Sequence, residues 1–135
     1  MSDENVEVVR RLTDVMDSEG FAAAFPVFLE AAHPDVEWRE DPAWPGAASY
    51  RGVDQVRKVI LDRMDTLDFD QRTEDLIPAD DRVVALVRWR GRGRTSGAEA
   101  EVSMAIVWTV REQAITKVEF FLDRAEALQA VGLRQ

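Results

Sequence analysis

An alternation of apolar and polar residues through positions 82–122 constrains the fold of this chain more than any other feature. Successive side chains of a strand point to opposite sides of a sheet, so a period of two predicts a strand with one buried face. Along 99–110, one face carries Ala100, Val102, Met104, Ile106 and Trp108. Along 82–92, Ala85, Val87 and Trp89 oppose Arg88, Arg90 and Arg92. The pattern predicts two long strands paired as a hairpin.

Helical spacing precedes these strands. Apolar residues recur three or four positions apart in 8–16, 21–32 and 53–67, which predicts three helices. Pro26 lies inside the second helix and should kink it or begin a new turn. Residues 36–39 alternate as a short strand, residues 40–52 predict a loop, and residues 69–77 and 115–122 predict further strands. Asp123 and Glu126 form a capping box that opens a short last helix.

Helices followed by a meander of antiparallel strands predict the α+β class rather than a parallel α/β sheet. A chain of 135 residues is the length of one ordinary domain, which we place at 1–135. Three helices laid on one face of a strongly bent antiparallel sheet would form a cone with an open mouth.

Composition excludes several classes of function. The chain has no cysteine and one histidine, His33, so thiolate nucleophiles and multi-histidine metal sites are excluded. A net charge of -9 argues against nucleic acid or an anionic membrane as a partner. Without a glycine-rich phosphate loop or a metal-ligand cluster, no cofactor is expected. The polar amino terminus resembles no signal peptide, which predicts a cytoplasmic protein.

The arginine-rich strand is interpreted as the outer face of the sheet. If the hairpin closes around Thr95, Arg88 lies opposite Glu101 and Arg90 lies opposite Glu99. Opposite charges directly across a ladder are typical of a solvated face. We therefore interpret these arginines as structural rather than ligand-binding residues.

The last strand is predicted to bring a carboxylate into the cone. A two-residue turn at Glu112-Gln113 would pair Ile106 with Glu119 and Met104 with Phe121. Glu119 would then lie among tryptophan, methionine and phenylalanine, where burial raises the pKa of a carboxyl toward the range useful for acid–base catalysis. Alternatively, Glu119 would only hydrogen-bond a neighbouring side chain inside the cone.

The same register leaves an apolar patch on the outer face. It would expose Val118, Phe120 and Leu122 beside Val107 and Ala105. A monomer does not ordinarily leave such a patch in water, so a homodimer through the outer sheet face is predicted.

The order of several short segments resembles a known family. The segments are HPDVEW (33–38), YRGVDQV (50–56), DDRVVALVRWRGRG (80–93), VWTV (107–110) and FFLDRAEALQAVGL (120–133). Together they resemble the SnoaL-like polyketide-cyclase branch of the nuclear transport factor 2-like superfamily, over nearly the whole chain. The resemblance implies the cone fold. It leaves the activity open, because this fold carries isomerases, epoxide hydrolases, cyclases, dehydratases and non-catalytic binders.

Comparison with ketosteroid isomerases of this superfamily implies a candidate base. Their base lies in a Glu-Asp-Pro run, which Glu40-Asp41-Pro42 matches, so Asp41 is the candidate; it could instead hold its own loop. Their oxyanion donors correspond here to Leu12 and Ile106, which donate no hydrogen bond. The inward arginine of related epoxide hydrolases is not evident, and Ile106 also replaces the histidine of many SnoaL-like relatives.

Two functional hypotheses follow. In the first, Asp41 or Glu119 moves a proton on a small apolar molecule in an isomerase, cyclase or hydrolase type of reaction. In the second, the chain is a non-catalytic binding module or a dimeric scaffold. The residues expected to enclose the molecule are Trp38, Trp44, Trp89, Met104, Ile106, Trp108 and Phe121. Trp44 could be a lid over the mouth or could pack its loop onto the third helix, and His33 is expected to complement a helix end.

Overall fold

The computed structural model describes residues 2–93 and 97–133. Two helices open the chain, α1 (Ser2–Glu19) and α2 (Phe21–Ala31), and α2 runs unbroken through Pro26. They are followed by β1 (Ala32–Arg39), β2 (Ser49–Arg51) and α3 (Val53–Thr66). Four strands come next, β3 (Leu67–Ala79), β4 (Arg82–Gly93), β5 (Glu99–Arg111) and β6 (Ala114–Phe121), and α4 (Arg124–Ala130) closes the fold.

The six strands form one open sheet in the order β2-β1-β6-β5-β4-β3. The sheet is mixed rather than wholly antiparallel as predicted, because β1 runs parallel to β6 while the other neighbours are antiparallel. The polar strand β3 lies at one edge of the sheet. The cone-shaped α+β fold predicted from the sequence is therefore confirmed, with one parallel pair added to it.

The two faces of the sheet carry separate apolar clusters. The inner cluster joins α1, α2 and α3 to inward residues of the sheet such as Val87, Met104 and Trp108. The outer cluster packs α4 against Val84, Ala105 and Val107. Asp123 caps α4 by accepting a hydrogen bond from the amide of Ala125 at 2.8 Å, the contact expected of an N-cap carboxylate.

The β4–β5 hairpin keeps the predicted faces in a different register. Arg90 pairs with Glu101 and Arg92 with Glu99, a shift of two residues from the prediction. An even shift leaves every side chain on the same side of the sheet, so the arginines face outward as predicted. Arg88 still reaches Glu101 diagonally, at 3.2 Å. The turn predicted at Thr95 lies outside the described residues.

The β5–β6 hairpin contains a bulge that the prediction lacked. Its turn is the predicted Glu112-Gln113, whose φ angles of 51° and 67° are those of a type I′ turn. Pairing then shifts by one residue between Thr109 and Val110, which leaves Thr116 as the extra residue of β6. An odd shift exchanges the two faces of the strand beyond it.

The predicted orientation of β6 is consequently wrong. Val107 pairs with Glu119 and Ile106 pairs with Phe120, so Val118 and Phe120 face the inner cluster. Glu119 faces the other side, and Phe121 packs in the outer cluster. The inward Glu119, and the contact of Phe121 with Met104 inside the cone, are both corrected by this single extra residue.

Candidate functional site

An apolar cavity of about 70 Å³ lies between the helices and the inner face of the sheet. Five of the predicted enclosing residues line it, and the lining set also includes side chains from all three packed helices. The five are Trp38, Trp44, Trp89, Ile106 and Trp108. Met104 is fully buried beneath them but does not line the cavity, and Phe121 lies on the far side of the sheet.

Several aromatic rings pack against one another inside the cone. The ring centroids of Trp44 and Trp89 are 5.8 Å apart. The centroid of Phe120 lies 6.2 Å from that of Trp44 and 6.0 Å from that of Trp89. Trp38 packs on Phe120 at 4.7 Å. These distances fall in the range of favourable tilted and edge-to-face contacts. The cone is therefore largely occupied by its own side chains, which explains the small size of the cavity.

One ion pair is built into the cavity wall. Glu40 is 5% exposed, and the guanidinium of Arg63 holds it by two hydrogen bonds, from Nη2 at 2.7 Å and from Nε at 3.1 Å. This hydrogen bond to Glu40 is the main reason that the pKa of Arg63 is raised. Among the described residues that line the cavity, these two carry the formal charges.

Two further donors saturate the Glu40 carboxylate. The Nε1 of Trp38 donates to Oε2 at 3.4 Å, and the amide of Ala48 donates to Oε1 at 3.3 Å. Four donors occupy the acceptor positions of one carboxylate, so Glu40 has little capacity left to accept a hydrogen bond from a ligand. The pair therefore closes the base of the loop 40–48 and leaves the cavity electrically neutral.

The sequence interpretation missed this pair although its signal was present. Glu40 continues the two-residue period of Val36 and Trp38, which points it to the same face of β1. Arg63 continues the helical spacing of Val56 and Ile60 on α3. The expectation that no arginine points inward was wrong, because Arg63 lies on the apolar face of α3 and lines the cavity.

Asp41 ties a loop to the sheet. Its Oδ1 accepts from the amide of Ala43 at 2.9 Å and its Oδ2 accepts from the amide of Leu122 at 2.8 Å. Both oxygens are therefore engaged by backbone, and Asp41 is not part of the cavity lining. The contacts match the loop-holding role that the sequence left open as the alternative to catalysis.

Glu119 lies in a polar groove on the other side of the sheet. Its carboxylate is 17% exposed and lies 3.7 Å from both the guanidinium of Arg39 and the ammonium of Lys117. His33 lines the same groove, where its Nδ1 accepts from the amide of Asp35 at 3.0 Å. That contact is local to β1 rather than to the end of α2. The structure thus separates the two predicted acids, and neither lines the apolar cavity.

The structure does not expose the apolar patch that was predicted for the outer face of the sheet. Val118 and Phe120 are buried in the inner cluster, and Ala105 and Val107 are covered by α4. The stated reason for a homodimer is therefore removed. Dimerisation itself stays a prediction.

Comparison with known proteins agrees with this architecture. The SnoaL-like domain matches residues 9–118. This chain belongs to the SnoaL-like domain family. No curated protein matches it in sequence. The described part of the chain has no helix long and apolar enough to cross a membrane, and no group of three or more residues suited to hold a metal ion.

Solved structures share the fold of this SnoaL-like chain. An NTF2-like protein from Burkholderia thailandensis is 28% identical, with a TM-score of 0.74 over 93% of this chain and 95% of the other. An NTF2-like protein of unknown function from Burkholderia pseudomallei is 20% identical, with a TM-score of 0.75 over 96% and 98%. TerC, co-crystallised with polyporic acid, is 19% identical, with a TM-score of 0.74 over 95% and 98%. The fold is thus related to those of polyketide cyclases and ketosteroid isomerases.

Proposed function

We propose that this SnoaL-like protein binds a small, uncharged, ring-shaped molecule in the apolar cavity and acts as a binding module. The observation that carries the proposal is the neutrality of the cavity. Its wall is aromatic and aliphatic, and the charges of Glu40 and Arg63 are matched to each other. A charged ligand would lose its water there without gaining a counter-charge, whereas an apolar ring loses nothing by the transfer.

The cavity is smaller than the space that a single ring requires. A cavity of about 70 Å³ is smaller than the roughly 150 Å³ that holds benzene in an engineered apolar cavity, so some wall residue must move on binding. Trp44 is suited to this role because it points inward from a loop whose residues Ala43 and Pro45 are exposed. Movement of Trp44 would widen the cavity toward solvent without disturbing the sheet.

Binding without catalysis is favoured over the acid–base alternative by the placement of the carboxylates. Glu40 is committed to four donors, Asp41 to two backbone amides, and Glu119 lies outside the cavity. General acid–base catalysis requires a group within hydrogen-bond reach of the reacting atom. The similarity to TerC, which was co-crystallised with polyporic acid, is one of fold.

A cavity-filling variant tests the proposal. Ala24 lines the cavity from α2 and is 1% exposed, so Ala24→Leu places three additional carbon atoms in the ligand space. We expect calorimetric titration with acetophenone to show binding to the wild type and at least a tenfold loss of affinity in Ala24→Leu. Ala22→Leu makes the same change on the exposed side of the same helix and should bind as the wild type does.

The result that would overturn the proposal is equal binding, or no binding, in the wild type and Ala24→Leu. Ala24→Val makes the smaller change and serves where leucine is not accommodated. Far-ultraviolet circular dichroism of each variant establishes that it is folded before titration.

A further inference from the structure

A residue that lines the cavity carries a buried hydrogen-bond donor without an acceptor among the described residues. Trp108, on β5, is 2% exposed and lines the cavity, where its ring lies 6.3 Å from that of Phe28. Among the described residues, its indole Nε1 is the buried side-chain polar atom that has no hydrogen-bond partner. Buried donors are rarely left in this state, because an unpaired N–H has lost its water without compensation.

The other two tryptophans that line the cavity from the sheet each have a hydrogen-bond acceptor for their indole N–H. The Nε1 of Trp38 donates to Glu40 at 3.4 Å, and the Nε1 of Trp89 donates to the Oε1 of Gln71 at 2.8 Å. Gln71 is itself 5% exposed and is held by Asp17, so the acceptor for Trp89 is a positioned one. Trp108 is more deeply buried than either of them and lacks such an acceptor among the described residues. A ligand reaches its N–H only if a wall residue moves, which the small size of the cavity already requires.

We propose that the indole N–H of Trp108 recognises a neutral oxygen acceptor, a carbonyl or a phenolic or ether oxygen, carried by the ring that the cavity binds. The inference rests on the proposed function and adds the chemical class of the ligand to it. A carboxylate is disfavoured because it would lie beside the Glu40 carboxylate, whose compensating cation Arg63 is already engaged. A neutral oxygen satisfies one donor and brings no charge into the cavity.

The test compares two ligands of nearly the same shape. Acetophenone and α-methylstyrene are both flat single rings, and they differ in carrying a C=O or a C=CH₂ group. The ratio of their dissociation constants is measured by calorimetric titration in the wild type and in Trp108→Phe. The variant removes the N–H and keeps an aromatic ring, so differences in transfer from water cancel between the two proteins.

We expect the preference for acetophenone to fall by about threefold to tenfold in Trp108→Phe, the size of one neutral hydrogen bond. An unchanged ratio with both ligands bound would overturn this inference and leave the proposed function standing. If neither ligand binds to the wild type, the proposed function itself is overturned.

If the Trp108→Phe variant does not fold, a measurement on the wild type tests the same inference. The assigned indole ¹H–¹⁵N resonance of Trp108 should move downfield when acetophenone binds and should not do so with α-methylstyrene. Equal shifts with the two ligands contradict the inference, since a ring-current effect alone would not distinguish them.

Discussion

Glu40 illustrates how a buried charge can be structural inside an apolar cavity. Its carboxylate is held by the guanidinium of Arg63 and by the donors of Trp38 and Ala48. Removing one partner of such a pair is costly because the other charge stays desolvated, even where the pair itself adds little net stability. The pair therefore contributes by fixing the start of the loop 40–48 against α3.

We predict that Glu40→Gln lowers the free energy of unfolding by about 1–3 kcal/mol, because the Arg63 guanidinium then loses its buried carboxylate partner. The lower part of that range is expected, since the Arg63 side chain is 26% exposed and retains some water. Equilibrium unfolding in urea measures the change. A loss below about 0.5 kcal/mol would mean that the pair is not coupled to the fold.

Glu37→Gln is the matched control for this prediction. Glu37 pairs with Arg51 on the surface, and the hydrogen bond from Arg51 is the main cause of its lowered pKa. Exposed pairs contribute roughly 0–1 kcal/mol, so the control should change stability less than Glu40→Gln. The lowered pKa of Glu37 makes any contribution present at neutral pH and lost as the pH falls through that pKa.

At the scale of elements, the extra residue in β6 decides which side chains enter the cone. The bulge at Thr116 shifts the pairing of β6 by one residue, so Phe120 faces inward and Glu119 outward. Burial of Phe120 beside Trp38 and Trp89 removes a large ring from water, while Glu119 keeps Arg39 and Lys117 as neighbours. The hydrophobic gain on the inner face favours this register over the regular one.

Alanine substitutions at the two adjacent positions test the register. Phe120 is 5% exposed, so Phe120→Ala should cost about 3–5 kcal/mol of unfolding free energy. Glu119→Ala should cost less than about 1 kcal/mol, because its ion pairs are long and partly exposed. The regular register without a bulge places Glu119 inside and Phe120 outside, and it would be supported if the order of the two losses were reversed.

The sequence predicts elements better than it predicts register. Long alternating and helical patterns identify the strands and helices, because each is repeated over several turns or pairs. The bulge at Thr116 involves one residue and breaks no pattern, since both Glu119 and Phe120 occur in a strand with apolar residues on either side. The parallel pairing of β1 with β6 likewise leaves no pattern in the sequence, because it depends on packing between segments more than 70 positions apart.

Charged residues on buried faces form the second class of missed features. Glu40 and Arg63 each continue an apolar period, at two residues and at three to four residues. Taken alone, each is interpreted as a solvated charge, which is the common case. They form a buried pair only because the fold brings together two residues that are 23 positions apart in the sequence.

Considered as a whole, the molecule is a sheet with two differently used faces. Three helices cover the inner face and leave the neutral aromatic cavity, while α4 covers part of the outer face. Arg124 holds α4 in place by donating to the carbonyl of Val87 at 3.0 Å and by pairing with Glu74. The family fold is thus retained, with Asp41 in a loop contact and Glu119 in a surface group of ion pairs.

Nuclear Overhauser contacts to a bound ring show most directly whether the inner cavity is the ligand site. With acetophenone bound to the wild type, we predict contacts from its ring protons to the methyl groups of Ile106 and the indole of Trp108. Contacts to the polar groove around Glu119 and His33, with none to Ile106 or Trp108, would contradict binding in the inner cavity.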